Sequence, residues 1–88
     1  MAFEEEIEAG VTQVWSEVLT NFSISPEDNF FDLGGDSLQM MDMLFTLSRR
    51  FGTEIEPQLL FEDASLKGFT ALVAQKIKVA APAREDLI

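Results

Sequence analysis

The sequence predicts an all-α fold, a small bundle of three main helices and one short one. Three observations carry that expectation. Apolar residues recur at helical spacing in three separate segments, a turn signal and two glycines make residues 20–35 a connection rather than a helix or strand, and Pro57 is placed to open a brief further helix. At 88 residues the chain is one small domain, long enough for a modest core and short for an enzyme scaffold with a deep pocket.

The first helix is read from Glu4 to about Leu19, with Ile7, Val11, Val14, Trp15 and Val18 on one stripe and Phe22 just beyond it. Glu4, Glu5 and Glu6 fall in its first turn, where carboxylates interact favourably with the helix dipole, and Glu8, Thr12 and Glu17 lie off the stripe. Residues 20–35 contain Ser25-Pro26-Glu27-Asp28 and paired glycines and read as one long connection. Ile24, Phe30, Phe31 and Leu33 are expected to pin it to the core. Its carboxylates, Glu27, Asp28, Asp32 and Asp36, lack the alternation and terminal glutamate of a calcium loop.

Asp36 reads as the N-cap of the second helix, with Gln39 three residues on completing a variant of the capping box. The helix runs from Ser37 to about Phe51, and Gly52 is placed to end it. At about 100° per residue, Met40, Met43, Leu44, Leu47 and Phe51 form one face, while Leu38, Met41 and Phe45 form a second, roughly opposite. A helix in a small bundle buries one face. The second stripe is therefore expected under the loop or open to a partner, and methionine and phenylalanine suit an adaptable surface.

Pro57 opens a brief helix through Phe61, in which Leu59, Leu60 and Phe61 are too crowded for all to be deeply buried. Ser65 caps a last helix, residues 66 to about 78, which turns Leu66, Phe69, Leu72, Val73 and Ile77 inward and is slightly weakened by Gly68. Residues 79–88 read as a tail or linker, leaving residues 1–78 as the domain. The expected core is Val11, Trp15, Val18, Phe31, Leu44, Leu47, Phe51, Leu72 and Ile77.

Composition narrows the function. Sixteen acidic against six basic residues give a net charge of −10, which disfavours nucleic acid and anionic membrane and favours basic partner surfaces. With neither cysteine nor histidine, no disulfide, native thiol or usual zinc site is available. No signal peptide or membrane-spanning run is present, so a cytoplasmic protein is expected and the sequon Asn21-Phe22-Ser23 is accidental.

The most informative stretch is Asn29-Phe30-Phe31-Asp32-Leu33-Gly34-Gly35-Asp36-Ser37-Leu38, which brings one serine to the start of a capped helix. The glycines leave room for close approach, and a phosphate on Ser37 would meet the positive end of the helix dipole. With the following Arg49-Arg50-Phe51-Gly52 and Leu60-Phe61-Glu62, this stretch resembles the attachment motif of phosphopantetheine-dependent carrier proteins of the acyl carrier superfamily, over roughly residues 7–78. The Leu-Gly-Gly-Asp-Ser-Leu form is most similar to peptidyl carriers of nonribosomal peptide synthesis. Asp36 and the acidity are shared with acyl carrier proteins of polyketide and fatty-acid synthesis, which remain the alternative.

The resemblance implies an acyl-carrier-like fold and a 4′-phosphopantetheine arm, derived from coenzyme A, covalently attached at Ser37 beside Gly35 and Asp36. It implies that the arm holds aminoacyl, peptidyl or acyl intermediates as thioesters and moves them between active sites. The implied partners are a phosphopantetheinyl transferase, an adenylation or acyl-loading enzyme, and condensation, ketosynthase or thioesterase enzymes. These would dock on helix 2 through Leu38, Met41, Asp42 and Phe45, with Arg49 also bordering that stripe. A monomer without metal or catalysis of its own is expected, and Met1 with the short tail favours a free-standing protein.

Two rival functions are weaker. Gly35-Asp36-Ser37-Leu38 also matches the signature of an esterase family, but a serine nucleophile needs a general base, normally histidine, and the chain has none. An unmodified helical interaction module would explain the second stripe but not the glycines.

Overall fold

The computed structural model describes residues 3–85 of the chain, with side chains through residue 79. Four helices follow in order: α1 (Phe3–Leu19), α2 (Ser37–Phe51), α3 (Pro57–Glu62) and α4 (Leu66–Glu85). The all-α expectation holds: among the described residues the only strand-like pairing is one antiparallel bridge between Asn29 and Ser65. α1 packs against both α4 and α2, and the short α3 closes the space between α2 and α4.

The core is drawn from every element. Val11, Val14 and Trp15 of α1, Met43 and Leu47 of α2, Leu60 of α3, and Phe69 and Val73 of α4 are buried together with Phe30 of the loop. Trp15 is the hub, with the Phe30 ring edge-on at 5.1 Å and the Phe69 ring stacked at 6.0 Å.

Several expected core positions move outward. Phe31 is 39% exposed and Phe30 takes its place, because the loop turns between the two rings and only one can face Trp15. Val18, Phe51, Leu72 and Ile77 are half-buried at the rim. Phe22 is 76% exposed, since α1 stops at Leu19 and the helical stripe does not continue to it. Ile55 is buried although it lies in a connection: its backbone N–H donates to Ser48 Oγ at 2.8 Å, drawing the side chain inward. The same hydroxyl donates to the Leu44 carbonyl at 2.8 Å.

Each helix end has a local cause. α1 closes through Thr20, whose φ of 54° is left-handed, and the Asn21 N–H donates to the Ser16 carbonyl at 3.0 Å. That is the six-to-one closure of a Schellman turn, with threonine where glycine is usual. α2 ends at Gly52, whose φ of 71° costs a glycine little. α4 begins with its donors fully used: Leu66 N–H donates to the Asp28 carbonyl, Lys67 N–H to the Pro26 carbonyl, Gly68 N–H to Ser65 Oγ, and Phe69 N–H to the Ser65 carbonyl. The long loop is thereby tied to α4.

Asp63 supports the same cap by accepting from the Ser65 hydroxyl and N–H, which hold its carboxyl below the usual carboxylate range. Since the folded value is the lower one, this contact contributes in full above the ordinary value of 3.8 and is lost as pH falls through the folded value. Gly68 has its reason here too, because a Cβ at that position would collide with the Asp63 carboxylate.

α4 continues to Glu85, past the end expected near residue 78, and runs through Pro82. Alanine, arginine and glutamate in residues 79–85 propagate a helix well enough to continue past the one backbone hydrogen bond that proline removes. The expected tail thus overlaps this helix, and its last residues, 86–88, lie outside the described residues.

Leu47 is fully buried in the middle of α2. Leu47→Ala should lower the free energy of unfolding by about 2–5 kcal/mol through lost transfer energy and a residual cavity. Urea denaturation of the two proteins measures it, and an unchanged midpoint would remove Leu47 from the core.

Candidate functional site

Ser37 is the first residue of α2, and the start of that helix is built by its neighbours. Asp36 has extended backbone angles (φ −112°, ψ −176°) and its Oδ1 accepts from the Gln39 N–H at 2.9 Å. Gln39 Oε1 accepts in turn from the Asp36 N–H at 3.1 Å, so both halves of a capping box are present. The Asp36 carbonyl accepts the first intrahelical bond, from the Met40 N–H at 2.8 Å. Among the described residues, the N–H groups of Ser37 and Leu38 have no protein acceptor. They flank an exposed hydroxyl at the positive end of the helix dipole.

The loop ahead of the serine is wound on Asn29. Its Oδ1 accepts from the Phe31 N–H at 2.9 Å and the Asp32 N–H at 3.2 Å, and its carbonyl accepts from the Leu33 N–H at 3.0 Å. Phe30 anchors this turn, donating its N–H to the Ala64 carbonyl at 2.9 Å and accepting from the Gly35 N–H at 3.0 Å.

The two glycines serve different ends. Gly34 has a φ of 101°, closed to most side chains, with open space where a Cβ would lie. Gly35 is half-buried, and a Cβ there would run into the Phe30 ring. Its missing side chain is filled from inside the protein.

Leu38, Met41 and Phe45 are 80%, 52% and 62% exposed, so the second stripe of α2 is not covered by the loop. With Gln39 and Asp42 they line an open groove of about 540 Å³ beginning at the residue after Ser37. Asp42 is exposed beside it, and the Arg49 guanidinium lies 5.7 Å from the centre of the Phe45 ring. The burial pattern follows the two-faced reading of the helix: Met40, Met43, Leu44 and Leu47 are buried on the other side.

No histidine exists in the chain, and among the described residues no basic side chain hydrogen-bonds Ser37. The site presents a hydroxyl, and among the described residues no side chain is hydrogen-bonded to it as a general base would be. Among the described residues no cluster of three metal-ligating side chains occurs.

The sequence profile of the phosphopantetheine attachment site family matches residues 9–73. The chain belongs to that family. It is a carrier, with 4′-phosphopantetheine as its covalent cofactor, and not itself a catalyst. Among curated relatives, surfactin synthase subunit 3 of Bacillus subtilis is 38% identical over 66 residues, covering 75% of this carrier. The carrier spans only 5% of that relative's length.

Among solved structures, an active-site mutant peptidyl carrier protein superposes with a TM-score of 0.75 at 28% identity, covering 82% of this chain and 80% of that one. Another is a peptidyl carrier structure determined with the phosphopantetheine transferase Sfp and coenzyme A. It has a TM-score of 0.70 at 27% identity, with 83% and 90% covered. The acyl-carrier-like fold is thus that of the carrier proteins.

The residues present fit the cofactor. Its phosphate needs an exposed oxygen nucleophile and neighbouring donors, and Ser37 has the hydroxyl with two free N–H groups beside it. The Asp36 carboxylate next to it is an unfavourable charge, and that group is already engaged by the Gln39 N–H.

Sequence reasoning missed two features of the site. One is the contact of Gly35 with Phe30, which only the turn between them creates. The other is the Gln39 amide, which also donates through Nε2 to the Val18 carbonyl of α1 at 3.3 Å. No local sequence signal marks a contact 21 residues away.

Gly35→Ala places a methyl group against a ring that is fully buried. It should cost about 1–3 kcal/mol of stability by overpacking. Thermal unfolding checks the loss, and a melting temperature equal to the parent's would mean the loop shifts freely around Phe30.

Proposed function

We propose that Ser37 is the residue that carries the arm, through a phosphodiester on its side-chain oxygen, and that Gly35 and Asp36 present it. The observation that carries this reading is the position of Ser37: an exposed hydroxyl on the first residue of a capped helix, inside the segment that matches the family. A transferase would supply the base and the magnesium ion that offsets phosphate charge. When attached, the arm supplies a terminal thiol that holds an acyl group as a thioester. This chain's own part is presentation: Asp36 and Gln39 fix the start of the helix, and Gly34 keeps the approach open.

The cargo is aminoacyl or peptidyl, and the setting is a cytoplasmic nonribosomal peptide assembly line. Support comes from the relatives, which include the surfactin and tyrocidine synthases, and from the solved peptidyl carriers. The partners are a phosphopantetheinyl transferase, an adenylation enzyme that loads the arm, and condensation or thioesterase enzymes that unload it. They dock on the groove of Leu38, Met41, Asp42 and Phe45, whose exposed apolar side chains start beside the attachment point. The carrier works as a monomer, which gel filtration tests directly.

Incubation with coenzyme A, magnesium and a broad-specificity phosphopantetheinyl transferase should add the mass of one phosphopantetheinyl group, and Ser37→Ala should abolish the addition. Modification that persists in the variant, or that peptide mapping places on Ser25, Ser48 or Ser65, would overturn the assignment.

Met41→Ala should lower kcat/KM for modification or loading several-fold, about 1 kcal/mol of lost contact, with the melting temperature unchanged. Parental kinetics with both a transferase and an adenylation enzyme would remove Met41 from the docking surface.

A further inference from the structure

The capping box of α2 has a third member outside the helix. Gln39 Oε1 accepts from the Asp36 N–H at 3.1 Å, and Nε2 of the same amide donates to the Val18 carbonyl at 3.3 Å. These partners fix the orientation of the amide: turned over, it would set a nitrogen against an N–H and an oxygen against a carbonyl. One planar group therefore spans from the last turn of α1 to the residue immediately before Ser37.

Both ends of this link have a structural reason. Val18 lies among the last four residues of α1, whose carbonyls have no intrahelical donor. The turn at Thr20 returns the Asn21 N–H to the Ser16 carbonyl and leaves the Val18 carbonyl for Gln39. α1 is itself fixed by Val11, Val14 and Trp15, all fully or nearly fully buried.

The residue type is informative as well. Glutamate is an equally good capping-box partner at this position, because the cap requires only an acceptor. It would turn a second oxygen towards the Val18 carbonyl. Only an amide of this length satisfies both contacts.

We propose that Gln39 is a positioning residue for attachment of the arm: a strut that transmits the fixed position of α1 to the N-cap and so sets where the Ser37 oxygen stands. This rests on Ser37 being the acceptor. A transferase docked on α2 meets the hydroxyl at an angle set by that helix start. Small errors in nucleophile placement lower turnover without lowering affinity.

The test uses the whole apo chain with two variants. Gln39→Glu keeps the acceptor for the Asp36 N–H and loses the donor to Val18, while Gln39→Met is neutral, similar in length and loses both. Initial rates of modification are measured against carrier concentration, with a broad-specificity transferase, coenzyme A and magnesium, well below the melting temperature.

Both variants should show kcat lowered about tenfold with KM for the carrier unchanged. The Val18 carbonyl-carbon resonance should move upfield in both, reporting the lost hydrogen bond. Met adds no charge, so agreement between the variants assigns the loss to the Val18 contact and not to a carboxylate beside Asp36.

Parental kcat in Gln39→Glu overturns the proposal. So does a change confined to KM, which would make Gln39 a docking contact of the groove it lines. If Gln39→Met does not fold, Gln39→Leu, also uncharged, takes its place. Modification of Ser37→Ala at the parental rate would instead overturn the attachment residue, so the two failures are distinguishable.

Discussion

The structure depends on the burial of one loop ring, Phe30. Its side chain is fully enclosed, edge-on to Trp15, while its N–H and carbonyl are taken by Ala64 and Gly35. Burying a phenylalanine contributes about 1.5–3 kcal/mol, which offsets the ordering of one or two loop residues at about 1–2 kcal/mol each. Without it, the connection between α1 and α2 would be held only by the half-buried Ile24 and Leu33 and by its hydrogen bonds to α4. With it, residues 29–35 become an extension of the core, and Ser37 stands two residues beyond a fixed point.

The serine is consequently held from both sides. Upstream, Asn29 winds the turn and the Asp28 and Pro26 carbonyls bind the first donors of α4. Downstream, α2 is held by Met43 and Leu47 in the core, by Gln39 against α1, and by Ser48 against the Ile55 connection. The hydroxyl is exposed and the Ser37 and Leu38 N–H groups beside it are open, yet the turn before them and the cap around them are hydrogen-bonded. This suits the role proposed for Ser37, in which a partner's active site must find the hydroxyl in a fixed place.

Much of this was legible in the sequence because it is local. Asp36 and Gln39 stand three apart, Gly52 follows the last periodic residue, and Ser65 precedes the last helix; each sets a helix boundary through contacts a few residues long. The two faces of α2 follow from its periodicity alone, and burial separates them as expected. Tertiary geometry decided the rest. Phe30 and Phe31 are adjacent and chemically equal, so which one enters the core depends on the direction of the turn. Ile55 is drawn inward by a hydroxyl on another element, and Gly35 faces inward because of a ring five residues earlier. At the end of α4, residues 79–88 read as a tail or linker, and the helix runs on through Pro82 to Glu85.

The open stripe on α2 has a consequence for the carrier in concentrated solution. Three large apolar side chains in a row would ordinarily invite two copies to join through them. Each copy carries a net charge of −10, so like-sign repulsion opposes that encounter, while a partner with basic residues around its own apolar site is drawn in. The same charge that attracts a basic partner therefore weighs against pairing of the stripe with its own kind. That discrimination is a property of the medium as much as of the molecule. It reaches only about 8 Å at physiological ionic strength and about 3 Å in molar salt, where the colloidal protection of the stripe fades while its apolar character is retained.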